Sequence, residues 1–460
     1  WRNRRAGVGA PQRQARARSR IQGVEAVSPE PSTTVERSDT PEQLIHPVLR
    51  KAFWALDEHA IRWALLRGLS ELDQPSGDVD VLADARADQL DAALRTAGFA
   101  RIGARGHGTH RFYFAYDARG DCWLKLDVVT DVTFGRYQQF ETSVAPLLLA
   151  RRERAGAVTV LHPHDAFWHL LLHHVLSTGA VPVRRHGDLQ ELAPRAWGGG
   201  ALEDLARAVH PRAAGALRDA VGGGDWASVV RLGRGLRRAW YLRAGSSLAL
   251  RSARQRLERH LPARGAAQQG MTVAVLGPDG AGKTTLARAL ASSTALPARY
   301  VYLGVWRTLR FESQLRRILG ARLAVRLATL VTKAVVIGTE RRLGRLVVLD
   351  RYTADVDLPS ADLDLKGRIS AALVRRTNAE PDLILLLDGP AELMYERKGE
   401  HGVPELQAWR DAYRAMGERF PQMVVVDASL SLDEVRREAT NLVWDAYVRG
   451  AQVSRAPMRA

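Results

Sequence analysis

The stretch from Met271 to Leu290, MTVAVLGPDGAGKTTLARAL, constrains this chain more than any other. Val273 to Leu276 is an apolar run of strand character, Thr284 to Leu290 is a good helix former, and a glycine-rich turn joins them. Within it Gly277, Gly282, Lys283 and Thr284 satisfy G-x-x-x-x-G-K-[ST], the pattern of a loop that cradles a phosphate. The glycines let successive backbone N–H groups point inward, and the following helix N-terminus favours an anion. Gly277, Pro278, Asp279, Gly280, Ala281, Gly282, Lys283, Thr284 and Thr285 are therefore expected to bind a nucleoside triphosphate. Lys283 would reach the outer phosphates, and the Thr284 hydroxyl would ligate Mg2+.

Around this loop the chain is long enough, at 460 residues, for two or three domains. Its net charge of +17 would ordinarily point to nucleic acid. The basic residues are overwhelmingly Arg and spread along an Ala- and Gly-rich chain, which reads as compositional bias, so a nucleic-acid partner is not argued for. One cysteine, Cys122, rules out an intrachain disulfide framework and sets the expectation of a reducing, cytoplasmic setting. The most apolar stretch, Leu323 to Ile337, is interrupted by Arg326 and Lys333, so no membrane span is expected.

Domain boundaries follow from composition. Residues 1–42 are rich in Arg, Gln, Ser, Pro and Thr and read as a disordered tail. Residues 43–195 alternate helix and strand patterns: a helix over Ile45–His59, strands at Trp63–Leu66, Asp78–Ala83, Arg111–Tyr116 and Trp123–Val129, and a helix over Ala87–Ala97. This is a small α/β unit with a mixed sheet. Residues 196–262 form a helical extension broken by glycines at 198–200 and 222–224, and 263–270 has linker composition. Residues 271–450 then place strands at Tyr300–Leu303, Leu346–Asp350, Leu383–Asp388 and Met423–Asp427, a long helix over 311–342 and a closing helix over Leu432–Tyr447 capped by Ser431, before a short tail at 451–460. Strands alternating with helices predict a doubly wound parallel sheet with its ligand at the strand C-termini.

Several features of the second half resemble the thymidylate kinase family: the Asp279-Gly280 pair inside the loop, Asp350-Arg351-Tyr352 at a strand end, the strand Pro381 to Asp388, and Arg397 in Tyr-Glu-Arg-Lys-Gly-Glu. The resemblance covers about residues 271–450. It implies a P-loop kinase fold and transfer of the γ-phosphoryl group of ATP to a nucleoside monophosphate, thymidylate by family default. Lys283, Asp350, Arg351 and Arg397 would be catalytic, and Thr284 with Asp350 would hold Mg2+. Such transfer needs a phosphate cradle, a metal and surrounding cations, which these residue types can supply. The plainer alternatives are a capping or salt-bridged Asp350 and surface roles for Arg351 and Arg397. After Asp350-Arg351-Tyr352 the thymine-contacting segment is replaced by Thr353-Ala-Asp355-Val-Asp357, which leaves the acceptor open. Asp355 is a candidate for an acceptor hydroxyl, Arg307 for a substrate phosphate, and Trp306 for either a stacking or a core residue.

The first half carries an acidic pattern of its own. Asp78 and Asp80 stand two apart on a strand and so share a face, and Asp127 lies on a later strand. Three convergent carboxylates are what two-metal chemistry requires. Leu66-Arg67-Gly68, Gly77-Asp78-Val-Asp80, Asp127, the histidine-bearing helix from Pro163 to His174 and Gly187-Asp188 together resemble the nucleotidyltransferase superfamily over about residues 45–195. That implies an α/β domain whose Asp78, Asp80 and Asp127 bind Mg2+. Leu69 stands where the superfamily prefers a small residue, and a strand with an acidic outer face is the alternative. His169, His173 and His174 lack the spacing of a zinc helix. The leading expectation is a nucleotide kinase with ATP and a small, nucleotide-like acceptor as partners. A nucleotidyltransferase acting on a small molecule or protein, or a non-catalytic ATP-binding switch, are the alternatives.

Overall fold

Among the described residues, apolar runs alternating with amphipathic stretches give two large sheets and a two-stranded ribbon. The structure is a computed structural model, and it describes residues 45–75, 77–103, 105–197, 199–259, 270–304, 321–358 and 379–453. Residues 1–42, the linker up to residue 269, Trp306 and Arg307, residues 311–320 of the long helix and residues 454–460 lie outside the described residues, and the expected tail from 451 begins instead as the end of the closing helix.

The first sheet is mixed. It is introduced by α1 (Pro47–Glu58), whose first-turn proline lacks only an N–H that would be unpaired anyway and which buries Leu49, Phe53 and Leu56. Then follow β1 (Arg62–Leu65), β2 (Val79–Asp84), α2 (Ala87–Thr96), β3 (Ala100–Ile102), β4 (His110–Asp117) and β5 (Cys122–Val129). A two-stranded ribbon, β6 (Thr133–Phe134) with β7 (Phe140–Glu141), and α3 (Ala145–Ala150) lead to β8 (Glu153–Ala155) and β9 (Val158–Val160). Spatial order is β3-β4-β5-β2-β1-β9-β8, with β2 parallel to β5 and β1 antiparallel to β2. The helices α4 (Pro163–Ser177), α5 (His186–Leu192), α6 (Ala201–Val209), α7 (Pro211–Gly222) and α8 (Trp226–Glu258) follow. Gly245 leaves helical geometry inside α8, at φ +60°, and kinks it.

The second sheet is all parallel. Its elements are β10 (Met271–Leu276), α9 (Lys283–Ser293), β11 (Ala298–Tyr302), α10 (Ala321–Arg342), β12 (Leu346–Asp350), β13 (Leu383–Asp388), α11 (Ala391–Lys398), α12 (Val403–Ala415), β14 (Met423–Asp427) and α13 (Leu432–Val453). The order is β11-β12-β10-β13-β14. Both faces are covered, which is why these strands read as unbroken apolar runs. Val273, Val275, Val348 and Leu385 pack with Leu286 of α9 and Val443 of α13. On the other face Ala274, Leu276, Val347 and Ile384 pack with Leu330 of α10 and Tyr413 of α12.

The two sheets meet in one compact unit. Ala100, Ile102 and Tyr116 of the first join the core that α9 and α13 form on the second. Trp123 and Trp444 meet edge to face with ring centroids 5.1 Å apart. Each indole finds an acceptor on the opposite half: Trp123 Nε1 donates to the Ser293 carbonyl at 3.0 Å and Trp444 Nε1 to that of Gly98 at 3.1 Å. Arg436 of α13 forks onto the Asp121 carboxylate, which also accepts from Tyr116.

Candidate functional site

At the C-terminal ends of β10 and β12 the chain brings together a glycine loop, a buried acid and several cations. The loop takes its shape from three left-handed or unusual glycines. Gly277 has φ +143° and Gly280 φ +89°, and a Cβ on either would lie 2.4 Å from a carbonyl oxygen, of Leu387 and Met394 respectively. Only glycine fits there, so the loop lies directly on the end of β13 and on α11. Gly282, at φ +92°, turns the chain into α9.

Lys283 begins that helix and is 6% exposed. Its ammonium donates to the Pro278 carbonyl at 2.7 Å and pairs with Asp279 at 3.2 Å. Burial first, and the Arg351 charge second, lower its pKa from 10.5 to about 8, against the pull of Asp279. The Thr284 hydroxyl donates to Asp350 Oδ2 at 2.7 Å, and the Tyr300 hydroxyl reaches the same oxygen at 2.8 Å. Asp350 is fully buried, and its other oxygen has no hydrogen-bond partner among the described residues. An orphaned buried carboxylate oxygen beside a threonine hydroxyl fits a hard divalent cation. Arg351 holds φ +73°, a strained conformation for a side-chain-bearing residue, fixed by its N–H on the Val275 carbonyl at 3.1 Å.

Asp279 is the hub. Its carboxylate accepts from Arg351 at 2.6 Å and pairs with Lys283 and Lys398, each at 3.2 Å, with His401 at 3.9 Å. Burial would raise its pKa, but Lys283, Arg351 and Lys398 together hold it well below the usual carboxylate range. Burial likewise opposes the charge on Arg351, and Asp355 and Asp279 more than restore it, so that its pKa lies above the ordinary value.

Arg397 is the expected cation of the Arg397-Lys398 pair, and Lys398 is the one that pairs with Asp279 of the loop. Arg397 donates to the Ala428 carbonyl at 2.9 Å and lines a pocket of about 190 Å³ with Gly280, Gly282, Thr285, Ala428 and Leu432. Asp355, expected to face an acceptor, is turned inward. It is buried, accepts from the Tyr413 hydroxyl at 3.0 Å and sits 3.5 Å from the Arg351 guanidinium, so what it holds is the arginine. Sequence reading passed over Lys398, His401, Tyr300 and Tyr413, whose approach depends on how α11, α12 and β11 pack.

In the first half Asp80 and Asp127 stand directly opposite on the β2–β5 pair, and Asp78 immediately precedes β2. Each carboxylate has its own basic partner: Lys125 for Asp78 at 2.5 Å, Arg67 for Asp80 at 2.6 Å and His110 for Asp127 at 2.9 Å. They are not among the groups of described residues whose three ligand atoms fall within 4.8 Å of one another. Burial raises the pKa of Asp80 against the pull of Arg67. His169 and His174 are buried, and desolvation lowers their pKa values to about 3 and about 4, so both are neutral packing residues at pH 7. Beside Arg67 a pocket of about 440 Å³ opens between Gly68, Ser70, Leu170, Arg185 and Arg195.

No protein-family model matches the chain, and no curated protein matches it. Among solved structures it is similar to thymidylate kinase from Candida albicans, at 17% identity and a TM-score of 0.32, over 39% of this chain and 93% of that one. It is also similar to deoxyadenosine kinase from M. mycoides with bound dATP, at 14% identity and a TM-score of 0.28, over 38% of this chain and 98% of that one. Scores of this size mark a slight likeness, and the functional reading rests on the residues of this chain. No helix of the described residues is long and apolar enough to cross a membrane.

Proposed function

We propose that the second half is an ATP-dependent phosphotransferase that passes the γ-phosphoryl group to a small, nucleotide-like acceptor. The observation that carries this is the Asp279 carboxylate, ringed at the mouth of a glycine loop by Lys283, Arg351 and Lys398 from three separate segments. A site that concentrates this much positive charge on one small carboxylate is suited to the larger negative charge of a polyphosphate. The loop N–H groups and Lys283 bind and orient the donor phosphates. Arg351, braced by Asp355, and Lys398 supply cations around the group in transfer. Thr284 and Asp350 would hold Mg2+, which when bound neutralises phosphate charge. The pocket lined by Arg397 and Leu432 offers the donor base an apolar seat. A thymidylate kinase-like fold over 271–450 with a doubly wound sheet, and a nucleoside monophosphate acceptor, are the specific forms of this reading.

The test is ADP formation by the full chain with Mg-ATP, screened against thymidylate, other nucleoside monophosphates and sugar or aminoglycoside acceptors. One acceptor should stimulate turnover, and Lys283→Ala should abolish it with the fold intact. Turnover unchanged in that variant sinks the proposal.

One observation favours a second activity in the first half: the 440 Å³ pocket lined by Arg67, the residue whose guanidinium holds Asp80. A nucleotidyltransferase-like site there would release pyrophosphate, a signal lost with Asp78→Asn plus Asp80→Asn and kept with Lys283→Ala.

A further inference from the structure

Away from both sites, three donor side chains converge at the turn between β4 and β5. Cys122, the chain's one cysteine, opens β5, and Asp117 closes β4. His46, the residue before α1, points Nε2 at Asp117 Oδ2 from 3.4 Å. One imidazole nitrogen, one carboxylate oxygen and the Cys122 sulfur lie within 4.8 Å of one another.

A side chain on residue 120, whose N–H donates to Asp117 Oδ2 at 3.0 Å, would crowd these donors. A Cβ on Gly120 would lie 2.8 Å from Asp117 Oδ2 and 3.4 Å from Cys122 Sγ. Gly120 is not among the residues with positive φ, so the backbone itself does not demand glycine there. What the glycine provides is room between an oxygen and a sulfur donor.

The donor chemistry selects the occupant. Thiolate, imidazole and carboxylate form the mixed set that suits a borderline-soft cation, and hard cations do not favour sulfur. Tetrahedral Zn2+ with bonds of about 2.0–2.3 Å sets its ligands roughly 3.3–3.8 Å apart. The His46–Asp117 separation of 3.4 Å already meets that spacing. We propose that His46, Asp117 and Cys122 form a binding site for a thiophilic divalent cation of the Zn2+ kind, with the fourth position open to water. On binding, the Cys122 thiol gives its proton to solvent and its sulfur becomes a thiolate ligand. The imidazole presents the Nε2 lone pair and carries its proton on Nδ1, giving up the long 3.3 Å bond from the Val48 N–H. No electron is transferred.

The ion would fasten the start of α1 to the β4–β5 turn. The next residue in that turn, Asp121, grips Arg436 of the other half. This site stands independently of the phosphotransfer reading.

The test is a Co2+ titration of the full chain under a phosphine reductant, followed by absorbance. One equivalent should produce a near-ultraviolet thiolate-to-metal charge-transfer band with the visible bands of a four-coordinate ion, and Zn2+ should bleach both. Because the chain has a single thiol, that band reports Cys122. Cys122→Ser should remove it, and Gly120→Ala and His46→Ala should each weaken Co2+ binding at least tenfold while the far-ultraviolet circular dichroism is unchanged. A wild-type chain without the band overturns the proposal. So does a band of unchanged affinity in both His46→Ala and Gly120→Ala, which would mean that the thiol binds through other donors.

Discussion

Thr284 Oγ1 donates to Asp350 Oδ2 across 2.7 Å, joining the first turn of α9 to the last residue of β12. The second carboxylate oxygen is buried with no partner among the described residues, so hydroxyl and carboxylate together present a ready pair of oxygen ligands. Thr284→Ala should lower acceptor-stimulated ADP formation by about 10²–10³-fold and raise the Mg2+ concentration needed for half-maximal rate. Losing the hydroxyl costs the fold only about 1 kcal/mol, so the variant should remain folded. Thr284→Ser should restore most of the rate. A Mg2+ dependence unmoved by Thr284→Ala would remove this residue from the metal site.

Lys283 gives ATP binding a pH dependence of known sign. Its pKa in the free protein is about 8 rather than 10.5, with burial the leading cause. The triphosphate needs the ammonium form, so ATP affinity should fall as pH rises through about 8. The folded pKa lies below the unfolded one, so the unfolded chain holds more protons between these values. The cost of burying this charge is therefore fully present below about pH 8 and is relieved as pH rises towards 10.5. Calorimetric titration with ATP from roughly pH 7 to 9.5 reads the binding arm, and Lys283→Arg, which stays charged throughout, should flatten the profile.

Gly280 and Gly282 have almost the same backbone angle and different surroundings, so they separate strain from crowding. Gly282→Ala meets nothing within 4 Å and suffers only the left-handed backbone, about 1–2 kcal/mol. Gly280→Ala carries that strain and also drives a Cβ to 2.4 Å from the Met394 carbonyl, adding about 1–3 kcal/mol of overpacking. Urea denaturation should rank Gly280→Ala as the less stable. ATP binding should fail in it as well, because relief requires the loop to leave α11.

The seam between the halves should make them unfold together. Trp444 is 3% exposed, and Trp444→Ala should cost about 3–5 kcal/mol. Arg436→Ala leaves Asp121 without its fork and should cost about 2 kcal/mol. Scanning calorimetry should show one transition in the wild type and two in the double variant. A single transition in both would place the coupling elsewhere.

How much of this was legible depended on what each residue's neighbours were. The strands of the parallel sheet announced themselves because both of their faces are buried, which forces an apolar run such as Leu383–Asp388. The strands β3, β8 and β9 span three residues each, too few to show a period, and were not expected. The glycine loop and Asp350-Arg351 could be read because their contacts are local or tied to a strand end. Lys398 and Tyr413 could not, since their approach to Asp279 and Asp355 is tertiary. The alternation that put Asp78 and Asp80 on one face also puts Lys125 beside Asp127, so one of the neutralising cations was there to be seen.

The aromatic seam has a practical consequence for anyone wishing to isolate the catalytic candidate. A polypeptide beginning at Met271 would bare Trp444, which is 3% exposed in the whole chain and stacks on Tyr447, along with the socket that Trp123 fills. Such a patch is adhesive in water. The excised piece is expected to self-associate or demand a detergent, and polar substitutions at these two aromatics would be the way to keep it monomeric.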